Sequence, residues 1–393
     1  MALLSNLTDT KLSIFKNRFT FVSVGFLLAT TVTIGTLSAA PQSKPNGPWP
    51  TDEQTLSLAA LRGYEQLWKT LESIEKSAKG AFELSVAPRQ SNTGREIPVV
   101  TIGHGPDSIM IIAQQHGNEY VVSEAMIQLI KDLSDNSAES KRIREAITLT
   151  VVPRVNVDGF DAEVEDAFGN TPPWRQNYDP FCVAGPCPPF YQRGRGYDIN
   201  RYHSYLDEAD IDPYVGGPNP VPESLAMREL YDERQPLVVI DFHHQGSYVD
   251  PDGNLITGST LWPNATAAAI ALGREAEFED AVVLSKKVVT VMALELEQYG
   301  YANLTLYPGT TTPGIARNAY GLLGAGSVLF EMRGGIGTKS NGYITKTAYN
   351  AAKAVVAALA DGSLFDADVT IAEGLPPRGP GIGAPNEDEA EVE

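Results

Sequence analysis

His116 and Glu119 stand three residues apart, directly after the apolar run Ser108-Ile109-Met110-Ile111-Ile112-Ala113. Imidazole nitrogen and carboxylate oxygen both suit Zn²⁺, whose catalytic sites combine three protein ligands with one open position. Histidine occurs five times, at 104, 116, 203, 243 and 244, so further imidazole ligands have few sources. Two other apolar runs end in the same manner. Leu237-Val238-Val239-Ile240 leads into Asp241-Phe242-His243-His244, and Ser327-Val328-Leu329-Phe330 leads into Glu331. Ligands of open α/β sheets bind beyond the carboxyl ends of the strands, so three runs can deliver these side chains to one rim. A single HxxE is weak evidence, because such a pair also starts solvated helices. Glu331 has two readings. A carboxylate ending a buried strand is either paired, here with Arg333, or kept as a general base for a metal-bound water.

The long segment between Asn156 and Pro222 is rich in Pro, Gly, Tyr and Arg, and irregular stretches of that length inside a compact domain are usually functional. It holds Asn156-Val157-Asp158-Gly159, Trp174-Arg175 and Asp198-Ile199-Asn200-Arg201. Guanidinium groups bind carboxylates through paired hydrogen bonds, so Arg175 and Arg201 with Asn200 suit the anionic end of a substrate. The competing reading is that they pair with this chain's own acids.

The elements that must position these residues alternate in type. Helices are expected over Thr51–Lys79, Glu119–Leu133, Glu275–Tyr299 and Tyr343–Leu359. Strands are expected at Phe82–Val86, Ile97–Ile102, Ser108–Ala113, Ile147–Val152, Leu237–Ile240 and Ser327–Phe330. Such alternation predicts an α/β architecture with a mixed central β-sheet flanked by helices.

The formal net charge of −19 argues against nucleic acid or anionic lipid as a partner. Lys11, Lys16 and Arg18 precede an uncharged stretch, residues 19–40, that closes on Ser38-Ala39-Ala40. This pattern predicts an export signal cleaved near Ala40, and so a periplasmic or extracellular protein. The stretch is also long enough to span a bilayer, which makes an uncleaved membrane anchor the alternative. Export agrees with the cysteine content: Cys182 and Cys187 are the only two and are expected to form an intrachain disulfide. The organisation read from the chain is a signal peptide or anchor over 1–40, one catalytic domain over 41–365, and a disordered Pro/Gly-rich, acidic tail over 366–393.

Taken in order, these motifs resemble those of the M14 zinc carboxypeptidases, over roughly Ser91 to Leu359. HGNE at 116–119 resembles the family's HxxE, and DFHH at 241–244 the strand of its third ligand. The resemblance implies one Zn²⁺ held by His116, Glu119 and His243, with His244 as the fallback. FEMR at 330–333 resembles the strand end carrying the catalytic Glu, here Glu331. Trp174-Arg175 resembles the pair that polarises the scissile carbonyl, which gives Arg175 that role. DINR resembles the DxNR motif whose Asn and Arg, here Asn200 and Arg201, hold the substrate's terminal carboxylate. Tyr307 falls where the family keeps a mobile substrate-capping tyrosine. Arg317 lies in the stretch shaping the side-chain pocket, which suggests an acidic preference. Asp241 suits an outer hydrogen-bond partner of a ligand imidazole. The activity implied is zinc-dependent hydrolysis of a peptide bond next to a free carboxylate. The alternatives are a deacylase of N-acyl amino acids resembling the aspartoacylase branch, and a non-catalytic binding protein on the same fold. HG-N-E and Arg-Asn after Gly314 differ from the digestive-type members and bear on the specificity pocket.

Overall fold

A computed structural model describes residues 61–162, 173–178, 196–214, 216–299, 303–333 and 338–382. The described residues all belong to the unit Pro41–Glu393. The uncharged N-terminal stretch, the first ten residues of the helix expected from Thr51, and Cys182 with Cys187 lie outside the described residues.

Eight strands form one mixed sheet: β1 (Phe82–Val86), β2 (Pro98–Gly103), β3 (Asp107–Ala113), β4 (Ile147–Val152), β5 (Val238–Gln245), β6 (Gly258–Leu261), β7 (Leu304–Leu306) and β8 (Gly326–Arg333). Their order is β1-β2-β4-β3-β5-β8-β6-β7, with β4, β3, β5 and β8 mutually parallel at the centre. Antiparallel pairs β1–β2, β2–β4 and β6–β8 flank that centre. The helices are α1 (Tyr64–Ser77), α2 (Val121–Leu133), α3 (Ala138–Ala146), α4 (Val157–Phe160), α5 (Pro222–Arg234), α6 (Thr266–Leu272), α7 (Glu275–Glu297), α8 (Ala316–Leu322), α9 (Thr338–Asp361) and α10 (Val369–Glu373).

The central strands are apolar on both sides because helices cover both faces of the sheet. Strand side chains alternate faces, and the two cores sort by parity. Val238, Ile240 and Phe242 of β5 join Val328, Phe330 and Met332 of β8 in the core shared with α1, α2, α7 and α9. Val239 instead joins the core containing residues of α5 and α8. The same alternation puts Asp241, His243 and Gln245, together with Leu329 and Glu331, on the side of Val239. That face carries the site.

Three expectations change. The first helix begins at Tyr64 among the described residues. The strand expected to stop at Ile240 continues to Gln245, so the two histidines lie inside β5, held by pairing with β8 through Gln245↔Arg333. The disordered tail expected from residue 366 is ordered as far as Ile382: α10 forms, and residues 376–382 dock by backbone hydrogen bonds to residues 247, 249 and 306. These bonds satisfy polar groups that a Pro/Gly-rich segment cannot satisfy internally. Residues 383–393 lie outside the described set.

Candidate metal centre and active site

The two ligand-bearing strands end side by side, since Ala113 of β3 pairs with Phe242 of β5. After β3 the chain enters the left-handed region at Gln114, with φ 54°, a conformation non-glycine residues rarely adopt and one common at functional turns. Side-chain bonds hold it there: Gln114 Nε2 donates to Gly117 O at 2.9 Å, and its Oε1 accepts from Arg154 Nε at 2.8 Å. Gly117 separates the two ligands. Its N–H donates to Arg175 O at 3.0 Å, and a Cβ there would lie 2.3 Å from Trp174 O. Only glycine allows the metal loop and the Trp174-Arg175 segment to approach so closely. Asn156 of the NVDG motif secures that segment too, accepting from Gly159 N at 2.7 Å and donating to Arg175 O at 3.0 Å.

His116, Glu119 and His243 present donor atoms within 4.8 Å of one another, all buried. Glu119 bridges the imidazoles, with Oε1 at 2.6 Å from His116 Nδ1 and Oε2 at 2.8 Å from His243 Nδ1. The two Nδ1 atoms are 3.1 Å apart. Each outer nitrogen is taken by a carboxylate: His116 Nε2 meets Asp198 Oδ1 at 2.9 Å, and His243 Nε2 meets Asp241 Oδ2 at 2.8 Å. With Zn²⁺ bound, those outer bonds would fix the tautomers and leave both Nδ1 lone pairs for the ion, as in carboxylate–histidine–zinc arrangements. Two imidazole nitrogens and a carboxylate are a donor set that fits Zn²⁺. His244 does not contribute its ring to this group, although its backbone N–H donates to Glu119 Oε2 at 3.0 Å. The third ligand is therefore His243.

Residues 70–348 match the M14 peptidase family model, described as zinc carboxypeptidase. The chain belongs to the M14 zinc carboxypeptidase family. Among curated proteins no sequence matches it. Solved structures similar to this metallocarboxypeptidase include bovine thrombin-activatable fibrinolysis inhibitor in complex with tick carboxypeptidase inhibitor, at TM-score 0.55 and 15% identity over 78% of this chain and 98% of that one. A second is a metallo-carboxypeptidase from Pseudomonas aeruginosa, at TM-score 0.53 and 16% identity over 77% and 70% of the two chains. A third is carboxypeptidase A from Helicoverpa armigera, at TM-score 0.55 and 17% identity over 80% and 77%. At such identities these neighbours establish the fold, the carboxypeptidase A-like α/β sandwich.

One pocket of the metallocarboxypeptidase collects nearly every residue singled out in the sequence. His116, Glu119, Arg175, Asn200, Arg201, Tyr307, Arg317 and Glu331 all line it, while His243 is wholly buried behind. His203 and His104 stay apart: His203 is buried between Gln115 and Tyr320, and His104 is exposed. Asn200 is largely committed to the protein, donating to Asp241 Oδ2 at 3.3 Å and accepting from Ala316 N at 2.8 Å.

Charge in the site is balanced by close pairing. Burial works against ionising Glu119, but the two imidazoles outweigh it and hold its pKa well below the usual carboxylate range. Burial likewise opposes the Asp198 carboxylate, and Arg201, His116 and Arg175 hold it well below that range. Arg175 lies 3.1 Å from Glu119 Oε1 and 3.6 Å from Asp198 Oδ2. Burial lowers the His243 pKa, yet Asp241 and Glu119 raise it well above the ordinary imidazole value.

Two features escaped the sequence reading. Asp198, seen there only as the start of DINR, is the outer partner of His116, and the acid preceding Asn-Arg was its available signal. Arg378 lines the pocket from the C-terminal segment, for which the sequence offers no comparable signal.

Proposed function

We propose that this metallocarboxypeptidase releases C-terminal residues with acidic side chains. Glu331 serves as general base, Arg175 stabilises the carbonyl oxygen, and Asn200, Arg201 and Tyr307 surround the terminal carboxylate. The observation supporting the preference is Arg317. Its guanidinium is buried, lines the pocket, and donates to neutral acceptors, Asn264 Oδ1 at 2.9 Å and Thr310 O at 2.8 Å. Gly309 leaves the room, since a Cβ there would lie 2.7 Å from Arg317 Nη1. Burial pushes the Arg317 pKa down to about 10, which still leaves it charged at neutral pH. Among the described residues no carboxylate pairs directly with this buried cation, and an anionic ligand relieves the cost of its burial.

When bound, Zn²⁺ supplies a Lewis acid and lowers the pKa of water. Glu331 accepts the proton of the attacking water and passes it to the departing nitrogen, the ordinary exchange of base and acid roles. Arg175 donates to the carbonyl oxygen as negative charge grows there, where prepositioned donors contribute most. Asn200, tied to Asp241 and Ala316, orients the wall beside Arg201. An exported location, periplasmic or extracellular, belongs to the same proposal and rests on the basic residues and uncharged stretch before Ala40.

The test is mass spectrometry of a peptide mixture incubated with the zinc-loaded protein, with and without chelator. The expected products lack single C-terminal residues, Glu and Asp foremost, and disappear on chelation. Cleavage confined to N-acyl amino acids would mark a deacylase, and an unchanged mixture would mark a binding protein.

A further inference from the structure

The segment Pro376–Ile382 runs as a strap along the mouth of the pocket. Leu306 N donates to Pro376 O at 2.8 Å, Arg378 N to Leu306 O at 3.0 Å, Gly379 N to Val249 O at 2.8 Å, and Ile382 N to Ser247 O at 2.7 Å. The strap lies outside the family-matched stretch, residues 70–348. It places the Arg378 guanidinium 3.7 Å from the centre of the Tyr248 ring and 4.8 Å from that of Tyr307. Arg378 Nη1 also donates to Gln245 Oε1 at 2.8 Å. Stacking on rings and one hydrogen bond fix the plane of the guanidinium. Among the described residues no carboxylate forms an ion pair with it. A cation held rigid at a pocket mouth, with donors remaining and no acid of its own, is prepared for an anion.

Strand β5 acts as a ruler for where that anion belongs. Asp241, His243 and Gln245 share one face, successive members about 6.6 Å apart. Asn200 bonds to Asp241, His243 is the metal ligand, and Arg378 bonds to Gln245. A peptide with its terminal carboxylate beside Asn200 and Arg201 therefore extends past the metal toward Arg378 on its acyl side. An extended residue spans about 3.3–3.6 Å, so Arg378 stands within roughly two residues of the bond cut.

We propose that Arg378, carried by the C-terminal strap, is a specificity residue that reads an acidic side chain within two residues upstream of the scissile bond. This rests on the carboxypeptidase reading and adds a second anionic subsite to the one proposed for Arg317. The preferred substrates are then acidic runs rather than isolated C-terminal Glu or Asp.

The test compares acetyl-Ala-Ala-Glu, acetyl-Ala-Glu-Glu and acetyl-Glu-Ala-Glu, which share their leaving residue. Wild type is expected to favour at least one upstream-Glu peptide in kcat/KM. Arg378→Ala should lower that value roughly tenfold, the scale of a charge-assisted bond at a partly exposed site, with acetyl-Ala-Ala-Glu little changed. Arg378→Lys, which keeps the charge and the strap, should retain part of the preference. Equal loss on all three peptides, or no preference in wild type, overturns the proposal. Calorimetric binding of the same peptides to zinc-loaded Glu331→Gln gives a second readout. Hydrolysis without upstream preference removes the Arg378 role and leaves the enzyme reading standing. Upstream-Glu binding that depends on Arg378, without hydrolysis in wild type, does the reverse.

Discussion

His243 and Glu331 are register partners across the parallel β5–β8 ladder, so the third metal ligand and the acid proposed as base stand on neighbouring strands and the same face. The ladder fixes their separation through backbone hydrogen bonds rather than through a loop. Glu331→Gln preserves shape and should leave the zinc content at one ion per chain, because Glu331 is not among the three converging donors. Removing the base should lower kcat by about 10²- to 10⁴-fold. Parallel metal analysis and peptide hydrolysis would check this, and loss of zinc from the variant would make Glu331 a ligand instead.

Asp241 and Asp198 act one layer further out. Each accepts from the outer nitrogen of a ligand imidazole, and Asp241 also accepts from Gln115 Nε2 at 2.8 Å. Asp241→Asn and Asp198→Asn should each weaken zinc binding by about 10- to 100-fold, as loss of such partners commonly does. Competition with a chromophoric chelator measures it. Unchanged affinity in both variants would reduce these carboxylates to packing.

The metal ligands were legible in the sequence because they close apolar strands, and apolar strands have a local signature. His116 and Glu119 follow β3, and His243 lies near the end of β5. The partners of those ligands were less legible, since Gln115 and Asp241 meet across 126 residues. The strap at Pro376–Ile382 was read as disorder for a physical reason. Its Pro/Gly-rich composition signals an inability to form its own secondary structure, and that inference is sound. Its order comes from pairing with residues 247, 249 and 306, a tertiary contact without local periodicity. The short strands β6 and β7 were missed on the same ground, being too brief for alternation to register.

Arg317 provides a test of the leaving-residue pocket. Arg317→Ala should lower kcat/KM for peptides ending in Glu or Asp by about 10²-fold, the scale of truncating one side of a buried charged pair. Peptides ending in a neutral residue should be far less affected. Arg317→Lys keeps the charge but loses the planar Nη2 that donates to both Asn264 and Thr310, and should fall between. An equal loss across all leaving residues would assign Arg317 to the pocket's architecture rather than to recognition.

His203 should make the fold sensitive to acid. Gln115 donates its amide N–H to Asp241, so its oxygen faces His203 and accepts Nε2–H at 2.6 Å. His203 Nδ1 is left to accept from the Tyr320 hydroxyl at 3.0 Å, which defines a neutral ring. Burial pushes its pKa down to about 4, against about 6.5 in an unfolded chain. Between those values the unfolded state binds the extra proton, so stability falls as pH falls. The contribution is complete above about pH 6.5 and lost through pH 4, at most about 3 kcal/mol. His203→Gln keeps a polar side chain without the titration. Its unfolding midpoint in denaturant should decline less steeply than wild type between pH 6.5 and 4. Parallel declines in the two proteins would place the acid sensitivity elsewhere.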